Sequence, residues 1–144
     1  MSGIIGSKAR SSGVVGPINL FDNILQRPVV KDYAESVQVL GDASGGLTRT
    51  VDLTNGNVVT ATVSDGTNTF VFSNPSATGK CCSFTLILTN GGSQTVTWPG
   101  SVDWSGGTAP TLTASGIDIF SFLTIDGGTI WYGFTGAIDT KTPS

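Results

Sequence analysis

An all-β fold is what the sequence predicts: an antiparallel β-sandwich of jelly-roll-like type, carrying an extended N-terminal arm. Three observations predict it. From residue 31 onward apolar and polar residues alternate in short runs, the period-two signature of half-buried strands. Asn55-Gly56, Asp65-Gly66, Asn90-Gly91 and Asp126-Gly127 each stand between such runs, where tight turns need positive backbone angles. Helical periodicity does not persist anywhere, and the 20 glycines follow no fixed spacing.

Residues 1–30 form the first unit. Gly3, Gly6, Gly13, Gly16 and Pro17 separate short apolar groups: Ile4 with Ile5, Val14 with Val15, then Ile18 with Leu20 and Phe21. Such a segment has no core of its own, and at most one helical turn is expected, from Phe21 to Gln26. Docking on something else is the expected source of its order, with tight wrapping round its own body as the competing explanation. Ile4, Ile5, Val14, Val15, Leu20 and Phe21 are the candidate anchors on a partner.

Residues 31–144 form the second unit, a β-body of about eight strands. Asp32 to Leu40 ends in clean alternation. Leu47, Arg49, Val51 and Leu53 share one face of the next strand, and Val59, Ala61 and Val63 one face of the third. Thr69 to Ser73 centres on Phe70 and Phe72. Cys82, Phe84, Leu86 and Leu88 share a face, while Ile87 on the other side predicts a strand covered on both faces. Thr95 to Trp98, Ile117 to Ile125 and Thr129 to Phe134 complete the set. The Gly- and Pro-rich stretch from Pro99 to Pro110 reads as a long loop carrying Trp104.

Charge supports an assembling protein. Only 12% of residues are charged, against about 25% in ordinary soluble domains. A surface made polar by Thr, Ser, Asn and Gly needs little desolvation to meet another subunit. Residues 1–31 carry four bases against one acid, net +3, and residues 32–144 three bases against nine acids, net −6. Four scattered bases fit an acidic protein surface better than nucleic acid. No run of 18 apolar residues is present, so no membrane span is expected, and the order of basic and apolar residues at the N-terminus is wrong for a secretory leader.

The residues for chemistry are sparse. Histidine is absent and Glu35 is the only glutamate, so the usual general base is missing. Asp103, Asp118 and Asp126 are the remaining candidates for a carboxylate pair. Each has a plainer reading, in a loop, at a strand start and in a turn. The adjacent Cys81 and Cys82 point to opposite faces of a strand and read as free thiols, with Cys82 buried. Neither an enzyme, a metal nor a cofactor is expected. Trp104, Trp131 and Tyr132 are candidates for a glycan platform or a subunit interface. Burial in the core is the stronger reading for large aromatic rings, and only one of the neighbours Trp131 and Tyr132 can face it.

From Gly79 the chain reads Gly-Lys-Cys-Cys-Ser-Phe-Thr-Leu-Ile-Leu-Thr-Asn-Gly-Gly-Ser-Gln-Thr-Val-Thr-Trp-Pro, followed by Val-Asp-Trp-Ser-Gly-Gly-Thr-Ala-Pro-Thr-Leu-Thr and later Asp-Gly-Gly-Thr-Ile-Trp-Tyr-Gly-Phe. This resembles a β-domain found near the C-terminal end of tailed-bacteriophage fibre and virion-surface proteins. Arg27 to Gly41 is similar to the segment that often precedes it, so the resemblance covers roughly residues 27–135. It implies a compact β-sandwich, often a homotrimer, that acts by being displayed on a virion assembled in the host cytoplasm. With about 30 residues before the domain and no fibre shaft, a capsid decoration (cement) protein docked on the major capsid protein by its arm is the first expectation. A short tail fibre, tail-tip or adaptor protein among tail proteins, contacting host glycan, is the second.

Overall fold

The computed structural model describes Leu20, residues 23–42 and residues 46–141. The chain divides into two compact units, Met1–Tyr33 and Ala34–Ser144. In the first unit the described residues form neither helix nor strand, and the helical turn expected over residues 21–26 is absent from 23–26. Ile24, Leu25, Val29 and Val30 are exposed.

The described residues of the second unit form nine strands: β1 (Val37–Asp42), β2 (Thr48–Asp52), β3 (Val58–Thr62), β4 (Thr67–Ser73), β5 (Cys82–Thr89), β6 (Thr95–Thr97), β7 (Val102–Trp104), β8 (Ile117–Thr124) and β9 (Trp131–Thr140). They form a six-stranded sheet in the order β1-β3-β5-β8-β9-β7 and a three-stranded sheet in the order β2-β4-β6. The two sheets share one core. Inward-facing Val59, Ala61, Phe84, Leu86, Phe120 and Phe122 of the larger sheet meet Val51 and Phe70 of the smaller. The Phe72 ring of β4 lies 4.8 Å from Phe84, 5.0 Å from Phe122 and 5.3 Å from Trp131. Full burial of each such side chain contributes about 1.5–3 kcal/mol.

The all-β class is as expected, but the antiparallel pairing is not general. Only β5–β8 and β8–β9 are antiparallel. The pairs β1–β3, β3–β5, β2–β4, β4–β6 and β7–β9 are parallel. From β1 to β6 the chain alternates between the sheets, so each turn of the coil lays one strand on each sheet, beside the strand of the turn before. Val37 pairs with Val58 and Thr48 with Thr69, the same offset of 21 residues in both sheets. Parallel neighbours need a connection of a dozen residues or more, and here a strand of the opposite sheet supplies it. A jelly roll is made of antiparallel Greek keys, and the wholly parallel smaller sheet does not follow that plan.

The turn residues explain the difference. Gly66 and Gly127 do adopt positive φ, 60° and 71°, as their Asp-Gly pairs require. Yet Asn55-Gly56, Asp65-Gly66 and Asn90-Gly91 stand at corners between the sheets, and only Asp126-Gly127 joins two neighbours of one sheet. The Pro99–Pro110 stretch is likewise not all loop: its Val102–Trp104 forms β7 on the edge of the larger sheet. β9 continues past Phe134 to Thr140.

Candidate functional site

Asp52, Asp118 and Asp126 each accept hydrogen bonds from backbone amides. Asp118 is fully buried; its carboxylate accepts hydrogen bonds from the Thr113 amide at 2.7 Å and the Asp139 amide at 3.0 Å. Asp126 accepts from the Ile130 amide (3.0 Å) and the Thr124 hydroxyl (2.8 Å), and the Ile130 bond is the main cause that lowers its pKa. Asp52 accepts from Asn74 Nδ2 at 2.9 Å and from the Thr54 hydroxyl and amide, which also hold its pKa down. Asp103 is exposed on β7. Asp52, Asp118 and Asp126 sit in separate elements, each held by its own set of partners. Cys81 is exposed, Cys82 half-buried, and both are free thiols. Among the described residues no group of three or more His, Cys, Asp or Glu side chains could hold a metal ion, and no helix is long and apolar enough to cross a membrane.

Of the three aromatic candidates, the structure separates Trp131 from the others. Trp131 is 1% exposed, its ring edge-on to Phe72 and Phe84, so it belongs to the core and is closed to glycan and to a partner subunit. The alternation of β9 then turns Tyr132 outward, 39% exposed. Trp104 lies mostly inside, 5.4 Å from Trp98 and from Phe122. Its ring covers Gly133, where a Cβ would come within 2.7 Å of the ring. What remains of its edge lines a cleft of about 340 Å³ with Ser105, Thr108, Pro110 and Phe134. An adjoining cleft of about 320 Å³ runs past Asp103 and Tyr132. Of the candidate anchors in the arm, Leu20 is exposed. Ile4, Ile5, Val14, Val15 and Phe21 lie outside the described residues.

Pairing registers assemble a feature that single strands do not reveal. On the outer face of the larger sheet, Val39, Thr60, Ile87, Ile119 and Ala137 align in one row across five strands. The next row is Val37, Val58, Thr85, Ser121 and Phe134. A third runs Ser83, Leu123, Tyr132 and Asp103. Asp103, at the rim, is the only charge in these rows. Val39 is 73% exposed and Phe134 52%, while Ile87 is only half-buried, so among the described residues nothing fully covers this face of β5. Strands about 4.8 Å apart and same-face residues about 6.7 Å apart give this face a plan area on the order of 500 Å². Thr60, Thr85, Ser121 and Ser83 interrupt it, so its exposed apolar part is smaller than that area.

The outer face of the smaller sheet is different. Its strands repeat Thr-X-Thr, as Thr48-Arg49-Thr50, Thr67-Asn68-Thr69 and Thr95-Val96-Thr97, with Thr48, Thr69 and Thr97 in register. Hydroxyls therefore dress that face, and the apolar surface is concentrated on the other. Comparison of the chain with protein-family models, with curated proteins and with solved structures finds no match.

Proposed function

We propose that this chain is a structural protein of a tailed-bacteriophage virion, a capsid decoration protein that works by packing rather than by catalysis. The observation that carries the reading is the outer face of the six-stranded sheet, where Val37, Val39 and Phe134 stand exposed in a single chain, with charges only at its margins, Asp42 and Asp103. A partner surface would remove it from water at about 25 cal/mol per Å². The reading takes the two-sheet body as a β-sandwich that forms a homotrimer through this face, with the N-terminal arm engaging the major capsid protein. The resemblance of residues 27–135 to virion-surface domains supports it.

Light scattering on the full chain at micromolar concentration tests self-association. The expected mass is three times the 14.7 kDa of one chain, and Val39→Lys with Phe134→Lys should return it to one. A wild-type protein that stays monomeric overturns the reading. The clefts beside Asp103, Tyr132 and Phe134 favour one alternative, a short tail fibre, tail-tip or adaptor that stacks host glycan on Tyr132. Imaging of labelled particles separates the two: label over the head supports decoration, label at a single vertex the tail.

A further inference from the structure

Among the described residues the first turn of the coil leaves two strand edges without a neighbouring strand, because β1 and β2 are each the terminal strand of a sheet. An unpaired edge invites a strand from another copy, and each added copy would offer a fresh edge to the next. In β2, Leu47 accepts from Thr69 and Leu53 donates to Ser73, so the odd-numbered residues bond to β4. Thr48, Thr50 and Asp52 therefore turn their main-chain groups to the free side. There the Gln38 side chain of β1 takes them up: its Nε2 donates to the Thr50 carbonyl at 3.2 Å, and its Oε1 accepts from the Asp52 amide at 3.1 Å. In a parallel ladder a neighbouring peptide would accept from and donate to this same pair of groups, the carbonyl and amide that flank Val51.

We infer that Gln38 stands in for a missing strand and closes the end of the coil, keeping copies of this chain from adding end to end through β2. β1 is closed from the other side: its register slips between Val39 and Gly41, and the Arg49 guanidinium of β2 takes up the Leu40 and Gly41 carbonyls at 3.3 and 2.8 Å. Bulged or blocked edges are a known protection against open-ended pairing. The inference does not rest on the virion reading, since it concerns a strand edge and not the sheet face.

Sedimentation velocity of three full-length variants over a range of concentrations tests it, with far-ultraviolet circular dichroism as the check on folding. Gln38→Val removes the amide and leaves the edge free; its profile should shift with concentration to an open series of heavier species. Gln38→Glu also loses the bond to Thr50 but leaves a charge at the edge, and should sediment as wild type. Gln38→Val combined with Thr50→Lys puts a charge on the freed strand and should return the wild-type profile. The inference is overturned if Gln38→Val keeps the wild-type profile, if Gln38→Glu assembles equally, or if Gln38→Val loses its β spectrum and Thr50→Lys does not restore it. Loss of the wild-type trimer alone would count against the proposed function and leave this contrast between variants readable.

Discussion

Gln38 and Arg49 close one end of the protein reciprocally: each projects from its own strand and hydrogen-bonds the main chain of the other's. Gln38 of β1 bonds Thr50 and Asp52 of β2, and Arg49 of β2 bonds Leu40 and Gly41 of β1. Arg49 is 3% exposed, and it also donates to the Thr62 carbonyl and to Asn68 Oδ1. Desolvation by burial lowers its pKa while the charge of Asp42 raises it. A guanidinium stays protonated at any physiological pH, so the carbonyl dipoles gathered around it compensate a permanent charge.

Replacing Arg49 by Met should therefore cost several kcal/mol. It strands up to four acceptors, each worth about 1–3 kcal/mol when buried and unpaired, in a domain whose whole stability is about 5–15 kcal/mol. Arg49→Lys keeps the charge but lacks the planar fork and should lose less. Urea unfolding of both variants checks the order.

Asp118 gives a second expectation, because its carboxylate holds two backbone amides. Asp118→Asn keeps the shape but presents an NH₂ to one of two amides that now find carboxylate oxygens, so a loss of about 1–3 kcal/mol follows. Asp103→Asn, on the exposed rim, should stay within about 0.5 kcal/mol of wild type. Thermal melts of the two variants run side by side decide it; equal melts would show that the Thr113 and Asp139 bonds are unimportant.

Acid should weaken the body through Asp52 and Asp126. Both carboxyls titrate lower in the folded protein than in an unfolded chain, where Asp lies near 3.9. Their contribution is complete above that unfolded value and disappears as pH falls through the lower folded ones. The double variant Asp52→Asn, Asp126→Asn should be less stable at neutral pH and show a shallower fall in melting temperature below about pH 4.

Gly133→Val should push Trp104 off its seat. The Cβ meets a rigid ring rather than the end of a flexible chain, and overpacking of this kind costs about 1–3 kcal/mol. Tryptophan emission should shift to the red as the ring becomes wet, and an unshifted spectrum would mean that the neighbouring strands absorb the strain.

Much of the body was legible in the sequence because side-chain alternation reports directly on which residues face a core. Phe84, Leu86 and Leu88 point inward as their spacing requires, and Arg49 shares the inward face of Val51. Strand partners were not legible, since Asn-Gly and Asp-Gly demand a positive φ and say nothing of which strand comes next. One overlooked signal was present: Thr-X-Thr recurs in β2, β4 and β6, and such recurrence marks stacked coils. The choice between Trp131 and Tyr132 for the core needed the register of β9 on β8. The outer apolar face is a property of five or six strands together, so no single run of residues announces it. The burial of Asp118 depends on amides 5 and 21 residues away, beyond any local pattern.

The coil has a consequence for the order in which the chain can fold. Its parallel pairs close loops of 20 residues or more, and such closures are slow, whereas β8 and β9 meet across one short turn. Phe72 finds three of its ring partners in Phe84, Phe122 and Trp131, and the last two leave the ribosome late. The earliest strands are thus made long before the side chains that hold them in place. Among the paired strands described, β8 and β9 close across the shortest connection, so this hairpin is expected to form ahead of the parallel pairs of the coil.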